Sequence, residues 1–580
     1  MGPRAKLPWP RRLIYSACLA AAALAALELV LAALGPLMVF RPFACGDSGP
    51  DGARRCQYVF KPEISFASPQ DPAVRRIVVA GESAVNGWPF PGAGFPEMMK
   101  AMLELEPAAA GRYEIINLGS NGINTAQLLE TLRDGLPLLR PDLLIVYAGN
   151  NELLARQPID DLSRPRTSRA VWWMRRHCRT WNIPAKFMGF FITRGLAVGY
   201  MLKVSRMEDQ HQTWLFPPAV RDHARKLYLY HIREIVDLGR ADGVPVVICT
   251  PGANLAEWIP TKSVHSDGIG RSEKIRIARQ VTQARARIMA GHPDMAIPEL
   301  QAVAGEDPDY AKAWFFLGKA ELLSGRTAAG IAHLERAVDN ADFYQETPPS
   351  WARDLRLLVK DMGVPLVDIE SDLRQDSILG CPGFDLFVDG CHPTLKGNYH
   401  IALHLVRGLA QQGLLPPALD SSRAPEFDAV LKKTGAKEKA LAMAQFNCAM
   451  VLAFLYTHLE YKPVALGYLD EAGRMGGDAG FIGCYQGYIS SLLDRPDLAA
   501  GYFSRARAAN EAAFKLTIVN KLQAAMLQKD PWLWVKKQEG EGLFALYPRG
   551  PGQGPAPLAD PSTCDYRFEW NGRAYRVMPL

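Results

Sequence analysis

The chain has 580 residues, more than one hydrophobic core accommodates, and calls for about two to four domains. Apolar residues make up 48% and charged residues 22%, which excludes a disordered or collagen-like chain. The formal net charge of +6 is spread without a Lys/Arg block, so nothing marks nucleic acid as a partner.

Arg4, Lys6, Arg11 and Arg12 precede an apolar stretch from Leu13 to Leu34. At about 1.5 Å per residue this stretch is long enough to cross a bilayer. Positive charge ahead of it keeps residues 1–12 in the cytoplasm and exports the rest. A cleaved signal peptide would carry a shorter apolar region, about 7–15 residues, so a retained anchor over 13–34 is expected. Glu28 lies inside that span and is read as a protonated or snorkelling carboxylate.

Residues 35–70 read as a linker rich in Pro, Gly and Asp. The cysteines show no Cys-x-x-Cys and no Cys/His cluster, so no metal is expected. Two pairs, Cys45 with Cys56 and Cys381 with Cys391, are candidate disulfides in an oxidising compartment, with buried thiols as the alternative.

From 71 to 262, apolar strands alternate with helical stretches. Strands are expected at 76–80, 113–117, 143–148 and 244–250, and a further one at 364–369 after a helix over 351–362. This alternation implies an α/β fold with a parallel sheet covered on both faces. Phe187–Leu202, interrupted by Arg194, reads as a lid or interfacial helix, or as core.

Between the last two strands lies a repeat: Gly291, Ala296, Leu300 and Val303 recur as Gly325, Gly330, Leu334 and Ala337, 34 residues on. The pattern resembles tetratricopeptide repeats, with Gly330, where alanine is usual, weakening the unit slightly. Ala465, Leu469 and Ala472 recur at the same period as Ala499, Phe503 and Ala506. The expected organisation is therefore an α/β domain over 71–262 and 346–412, interrupted by helical repeats at 263–345. A linker at 413–436, C-terminal helical repeats at 437–527 and a tail at 528–580 follow. In the tail, Asn571-Gly572 signals a two-residue hairpin.

Four short segments carry the chemistry: Gly81-Glu82-Ser83, Asn117-Leu118-Gly119 through Gly122, Gly149-Asn150-Asn151-Glu152, and Asp389-Gly390-Cys391-His392-Pro393. The first three each follow a strand, on the rim where open α/β sheets build their sites. Ser83 offers a hydroxyl nucleophile, Asn151 an amide donor, and Gly122 a backbone N–H that no Cβ shields. His392 suits a general base, with Asp389 three residues earlier to fix its tautomer. His400 and His404 lie close by but outside the Asp-x-x-His spacing.

The order of these segments resembles the SGNH (GDSL-type) hydrolase superfamily, over roughly 76–262 and 346–412. The resemblance implies a flavodoxin-like three-layer fold, a catalytic set of Ser83, Asp389 and His392, and an oxyanion hole of Ser83, Gly122 and Asn151. Gly119, three residues from Gly122, is the competing glycine. Glu82 and Glu152 stand where the family pattern has aspartate. The implied activity is ester hydrolysis through an acyl-serine, on an acylated lipid or glycan, without cofactor or metal. An O-acyltransferase using the same site, and a vestigial scaffold whose repeats bind envelope proteins, are the alternatives. The expected partners are the acyl ester, the membrane through the N-terminal helix, and a protein on the repeats. The catalytic domain is expected outside the cytoplasm.

Overall fold

Three antiparallel strands come first: β1 (Phe43–Ser48), β2 (Arg54–Tyr58) and β3 (Lys61–Ser68), in the order β1-β2-β3. They occupy the stretch expected to be a linker, and that expectation is corrected. Cys56, Tyr58 and Phe66 alternate inward to join the core, a period that the Gly- and Asp-rich composition around them obscures. Cys45 faces Cys56 in register, and the two form a disulfide. Cys381 and Cys391 are buried thiols outside any disulfide.

The computed structural model describes residues 42–48, 53–59, 61–153, 216–342, 346–420, 424–456, 458–512 and 514, together with four short strands near the C-terminus. The stretch Leu13–Leu34, the segment Phe187–Leu202 and the Asn571-Gly572 turn lie outside the described residues. Among the described residues, no helix is long and apolar enough to cross a membrane. Two units emerge: residues 1–86, 106–382 and 404–422 in one, and 87–105, 383–403 and 423–580 in the other.

In the first unit, five parallel strands form one sheet: β4 (Arg75–Gly81), β5 (Tyr113–Asn117), β6 (Leu143–Tyr147), β7 (Val246–Cys249) and β8 (Leu366–Val367). β6 and β7 are buried at every position, the mark of a sheet covered on both faces. Their spatial order is β5-β4-β6-β7-β8, the doubly wound 2-1-3-4-5 arrangement. The chain runs outward from β4 to β5 and then crosses back to β6. That reversal opens a crevice at the carboxyl ends of β4 and β6, the place where such sheets bind ligands.

After β7 the first unit carries four consecutive helices, Arg271–Met289, Pro293–Glu306, Ala311–Leu323 and Thr327–Asn340. The residues at the 34-residue period, Ala296, Leu300, Val303, Leu334 and Ala337, are all buried. Gly330 does not weaken the packing: a Cβ there would lie 2.9 Å from both the Gly318 carbonyl oxygen and the Leu322 nitrogen. Glycine is what lets these helices approach. The base of the insertion is closed by Lys262 and Asp342, whose side chains are 2% and 0% exposed and meet at 2.8 Å. Asp342 also accepts the Phe216 N–H at 2.8 Å.

The second unit contains the helix Phe95–Leu105, the Asp-x-x-His loop, and the helices Glu438–Met450, Tyr461–Arg474, Ala479–Leu492 and Pro496–Ala509. The expected linker at 413–436 is also corrected, because Phe427–Thr434 is a helix packed on Phe95–Leu105. Near the C-terminus, Leu533–Lys537 pairs with Phe544–Pro548, and Tyr566–Trp570 with Tyr575–Pro579. In the second pair Tyr566 stands opposite Pro579 and Trp570 opposite Tyr575.

Removing one partner of a buried ion pair leaves the other charge without compensation. Lys262→Met should therefore lower unfolding free energy by about 3–5 kcal/mol, and adding Asp342→Leu should recover most of that loss. Denaturant unfolding of the three proteins checks it, and equal stability of Lys262→Met and the parent would contradict it.

Candidate active site

Ser83 begins the single helical turn Ser83–Asn86, one residue beyond the Glu82 that follows β4, and is 8% exposed. Gly81 makes this position possible: a Cβ there would lie 2.0 Å from the Tyr147 carbonyl oxygen, so only glycine lets the ends of β4 and β6 lie this close. The loop after β5 is bound to the same turn. Asn117 donates its amide to the Val85 carbonyl at 2.8 Å, and the Ser120 N–H donates to the Gly81 carbonyl at 3.1 Å. The Asn86 amide reaches the Asn121 side-chain oxygen at 2.7 Å.

The two competing glycines differ in kind. Gly119 packs against Asn86, where a Cβ would lie 2.1 Å from the backbone nitrogen, and its own N–H is given to Asn117. Gly122 is exposed, has φ of +71°, and has open space where its Cβ would stand. Asn151 is buried and donates its amide to the Ile123 carbonyl at 3.1 Å, so the loop carrying Gly122 and the turn carrying Asn151 are tied together. Asn150 is engaged elsewhere, its side-chain oxygen accepting the N–H and the hydroxyl of Thr347 at 3.0 and 2.9 Å.

Two carboxyls are buried beneath this rim. Glu82 accepts the N–H groups of Gly149, Asn150 and Asn151, at 3.2, 2.8 and 3.4 Å. Glu152 accepts the Thr125 N–H at 2.9 Å and its hydroxyl at 3.0 Å, and that hydroxyl lies 3.1 Å from His231 Nδ1. Burial, and then the charge of Glu152, pushes Glu82 up to about 8 against the pull of its three N–H donors. Burial pushes Glu152 up to about 7, opposed by Thr125. The two titrate as a pair rather than singly. Burial also lowers His231 to about 4, so that imidazole is neutral at physiological pH.

In the second unit, Asp389 and His392 stand on a tight loop closed by the Val388 N–H donating to the His392 carbonyl at 2.8 Å. His392 Nδ1 lies 2.7 and 2.9 Å from the two Asp389 carboxylate oxygens. Asp389 also accepts the N–H groups of Cys391 and His392 at 3.1 and 2.9 Å. Burial alone would raise this carboxyl, but the charge and hydrogen bonds of His392, with the Cys391 N–H, hold it below its usual value. With the carboxylate on Nδ1, the lone pair of a neutral ring sits on Nε2, the arrangement of a general base. The indole of Trp88 meets the His392 ring edge-on, centroids 4.4 Å apart, a contact for which the sequence carried no signal. The expectation of no Cys/His cluster is corrected locally, since ligand atoms of Asp389, Cys391 and His392 lie within 4.8 Å of one another.

The first unit thus gathers Ser83, Gly122 and Asn151, and the second pairs Asp389 with His392. No protein-family profile and no curated protein matches the sequence. Among solved structures, the chain is similar to an acetyl xylan esterase at 14% identity, covering 57% of this chain and 97% of that one, with a TM-score of 0.26. It is similar also to a GDSL-like lipase from Bacteroides thetaiotaomicron at 11% identity, covering 59% and 89%, with a TM-score of 0.25. A lipase/acylhydrolase from Enterococcus faecalis matches at 13% identity, covering 58% and 97%, with a TM-score of 0.25. At these values the reading of function rests on the residues themselves.

The raised carboxyls have a measurable consequence. Each is held above its unfolded value of about 4.3, so its contribution to stability is complete below that pH and is lost as pH rises through about 7 to 8. His231, depressed in the fold, acts only below its unfolded value of about 6.5. Melting temperature should therefore fall between pH about 6.5 and 8, and Glu152→Gln should flatten the fall. A melting temperature that rises over that window would contradict the burial of an uncompensated pair.

Proposed function

We propose that the chain is a serine ester hydrolase of the SGNH type, acting through an acyl-Ser83 intermediate on an acylated lipid or glycan. Its bulk is exported and held at a membrane by residues 13–34. The observation that carries the reading is the Asp389–His392 pair, in which a buried carboxylate grips Nδ1 at 2.7 Å and leaves Nε2 to act as base.

In this reading Ser83 Oγ attacks the acyl carbonyl and its proton passes to His392 Nε2. The developing oxyanion accepts hydrogen bonds from the N–H groups of Ser83 and Gly122 and from the Asn151 amide. Collapse breaks the ester C–O bond, and the imidazolium returns its proton to the leaving alcohol. Water then attacks the acyl-serine by the same route, releasing the acid and restoring the Ser83 hydroxyl. The Cys45–Cys56 disulfide supports an oxidising compartment, and hence an exported bulk. An envelope location in turn favours acylated glycans or lipids over cytosolic thioesters.

Turnover of a panel of esters of varied chain length tests the proposal, using the full chain in detergent. Ser83→Ala and His392→Ala should each lower kcat by at least about 10³-fold while keeping the melting temperature. Asn151→Ala should cost about 10²–10³-fold through loss of an oxyanion donor. Asp389→Asn should also impair turnover. Near-normal hydrolysis by purified Ser83→Ala would remove the nucleophile from the account.

A further inference from the structure

Asn151 is useful as an oxyanion donor only if its backbone is held still, and the turn that carries it is unusual. Three consecutive N–H groups, those of Gly149, Asn150 and Asn151, converge on the Glu82 carboxylate. Such convergence needs the chain to fold back on itself, and Gly149, with φ of +140°, supplies the bend. A Cβ at Gly149 would lie 2.7 Å from the Thr347 hydroxyl and 3.1 Å from the Tyr228 ring, so the turn is confined on that side as well. Tyr228 donates its hydroxyl to the Ala148 carbonyl at 3.0 Å.

Glu82 reaches this turn because Gly81 and Tyr147 face one another in register at the ends of β4 and β6. The side chain must still cross from residue 82 to the backbone of 149–151. Its extra methylene relative to aspartate adds about 1.5 Å of reach. Glu82 is also bonded to Ser83, so one residue is covalently next to the serine and hydrogen-bonded to the backbone of the asparagine. The N–H groups of the turn donate to both carboxyl oxygens of Glu82.

We infer that Glu82 is a positioning residue for oxyanion stabilisation: its carboxyl oxygens gather the 149–151 N–H groups and thereby fix the Asn151 amide relative to Ser83. This rests on the hydrolase reading and adds to it. Misplacing a donor by a fraction of an ångström weakens only the interaction made in the transition state, so the cost falls on kcat rather than on KM.

The test uses Glu82→Gln, which keeps the size but replaces one acceptor oxygen by an NH2 group that cannot accept. On a small activated acetyl ester, kcat should fall by about 10- to 100-fold with KM changed less than about threefold. Combined with Asn151→Ala, it should add little further loss, because both act through one amide. Amide hydrogen exchange at 149–151 should accelerate in Glu82→Gln. If Glu82→Gln does not fold, Glu82→Asp, which keeps the carboxyl group and loses the reach, is measured in its place with the same expected directions. Unchanged kcat, or full additivity with Asn151→Ala, would overturn the inference. If the unaltered protein turns over no ester, the hydrolase reading fails, and the positioning role is decided by exchange alone. Unchanged protection at 149–151 would then overturn it too.

Discussion

The arrangement of this chain depends on one topological constraint, the reversal of strand order between β4 and β6. A parallel sheet cannot be joined by short hairpins, so each connection crosses a face and returns. Because β5 lies to one side of β4 and β6 to the other, the chain leaves both strands at the same edge in opposite directions. The gap so created is where Ser83 and Asn151 emerge. Glycines at 81 and 119 let the flanking loops close to backbone contact, and no larger residue fits either position without displacing backbone.

The same crevice holds the costliest chemistry in the first unit. Two buried carboxyls, Glu82 and Glu152, lie beneath the rim without a salt-bridging cation among the described residues. Backbone N–H groups and the Thr125 hydroxyl satisfy their oxygens, which makes burial tolerable while leaving both pKa values raised. A protein retains such a pair where its hydrogen bonds fix a backbone that apolar packing would leave loose. In the second unit the opposite balance holds, since the neighbouring imidazole keeps Asp389 ionised despite its burial.

The sheet was readable from the sequence because its strands are uninterrupted Ile, Val and Leu runs, which only a doubly covered sheet accepts. Ser83, Asn151 and the Asp389–His392 pair were readable because their chemistry is local to short segments at strand ends or in one loop. What remained hidden depends on distant neighbours. The grip of Glu82 on residues 149–151 exists only because β4 and β6 are adjacent, and the Trp88 ring finds His392 across a separation that no periodicity marks. The strands at 43–68 were masked by Gly and Asp composition, and the close crossing of Gly318 and Gly330 made an apparent weakness into a packing requirement. The motif pattern already favours Asn151 over its neighbour Asn150, and the fold adds the physical reason, since the Asn150 side-chain oxygen is taken by Thr347.

The central claim is that Ser83 is a nucleophile activated by His392, and direct phosphonylation tests it most simply. The intact protein is treated with a fluorophosphonate, digested, and its peptides are mapped by mass spectrometry. The account predicts one adduct, on Ser83, formed far more slowly in His392→Ala. An adduct on a different residue, or none on Ser83 in the folded native protein, would contradict it.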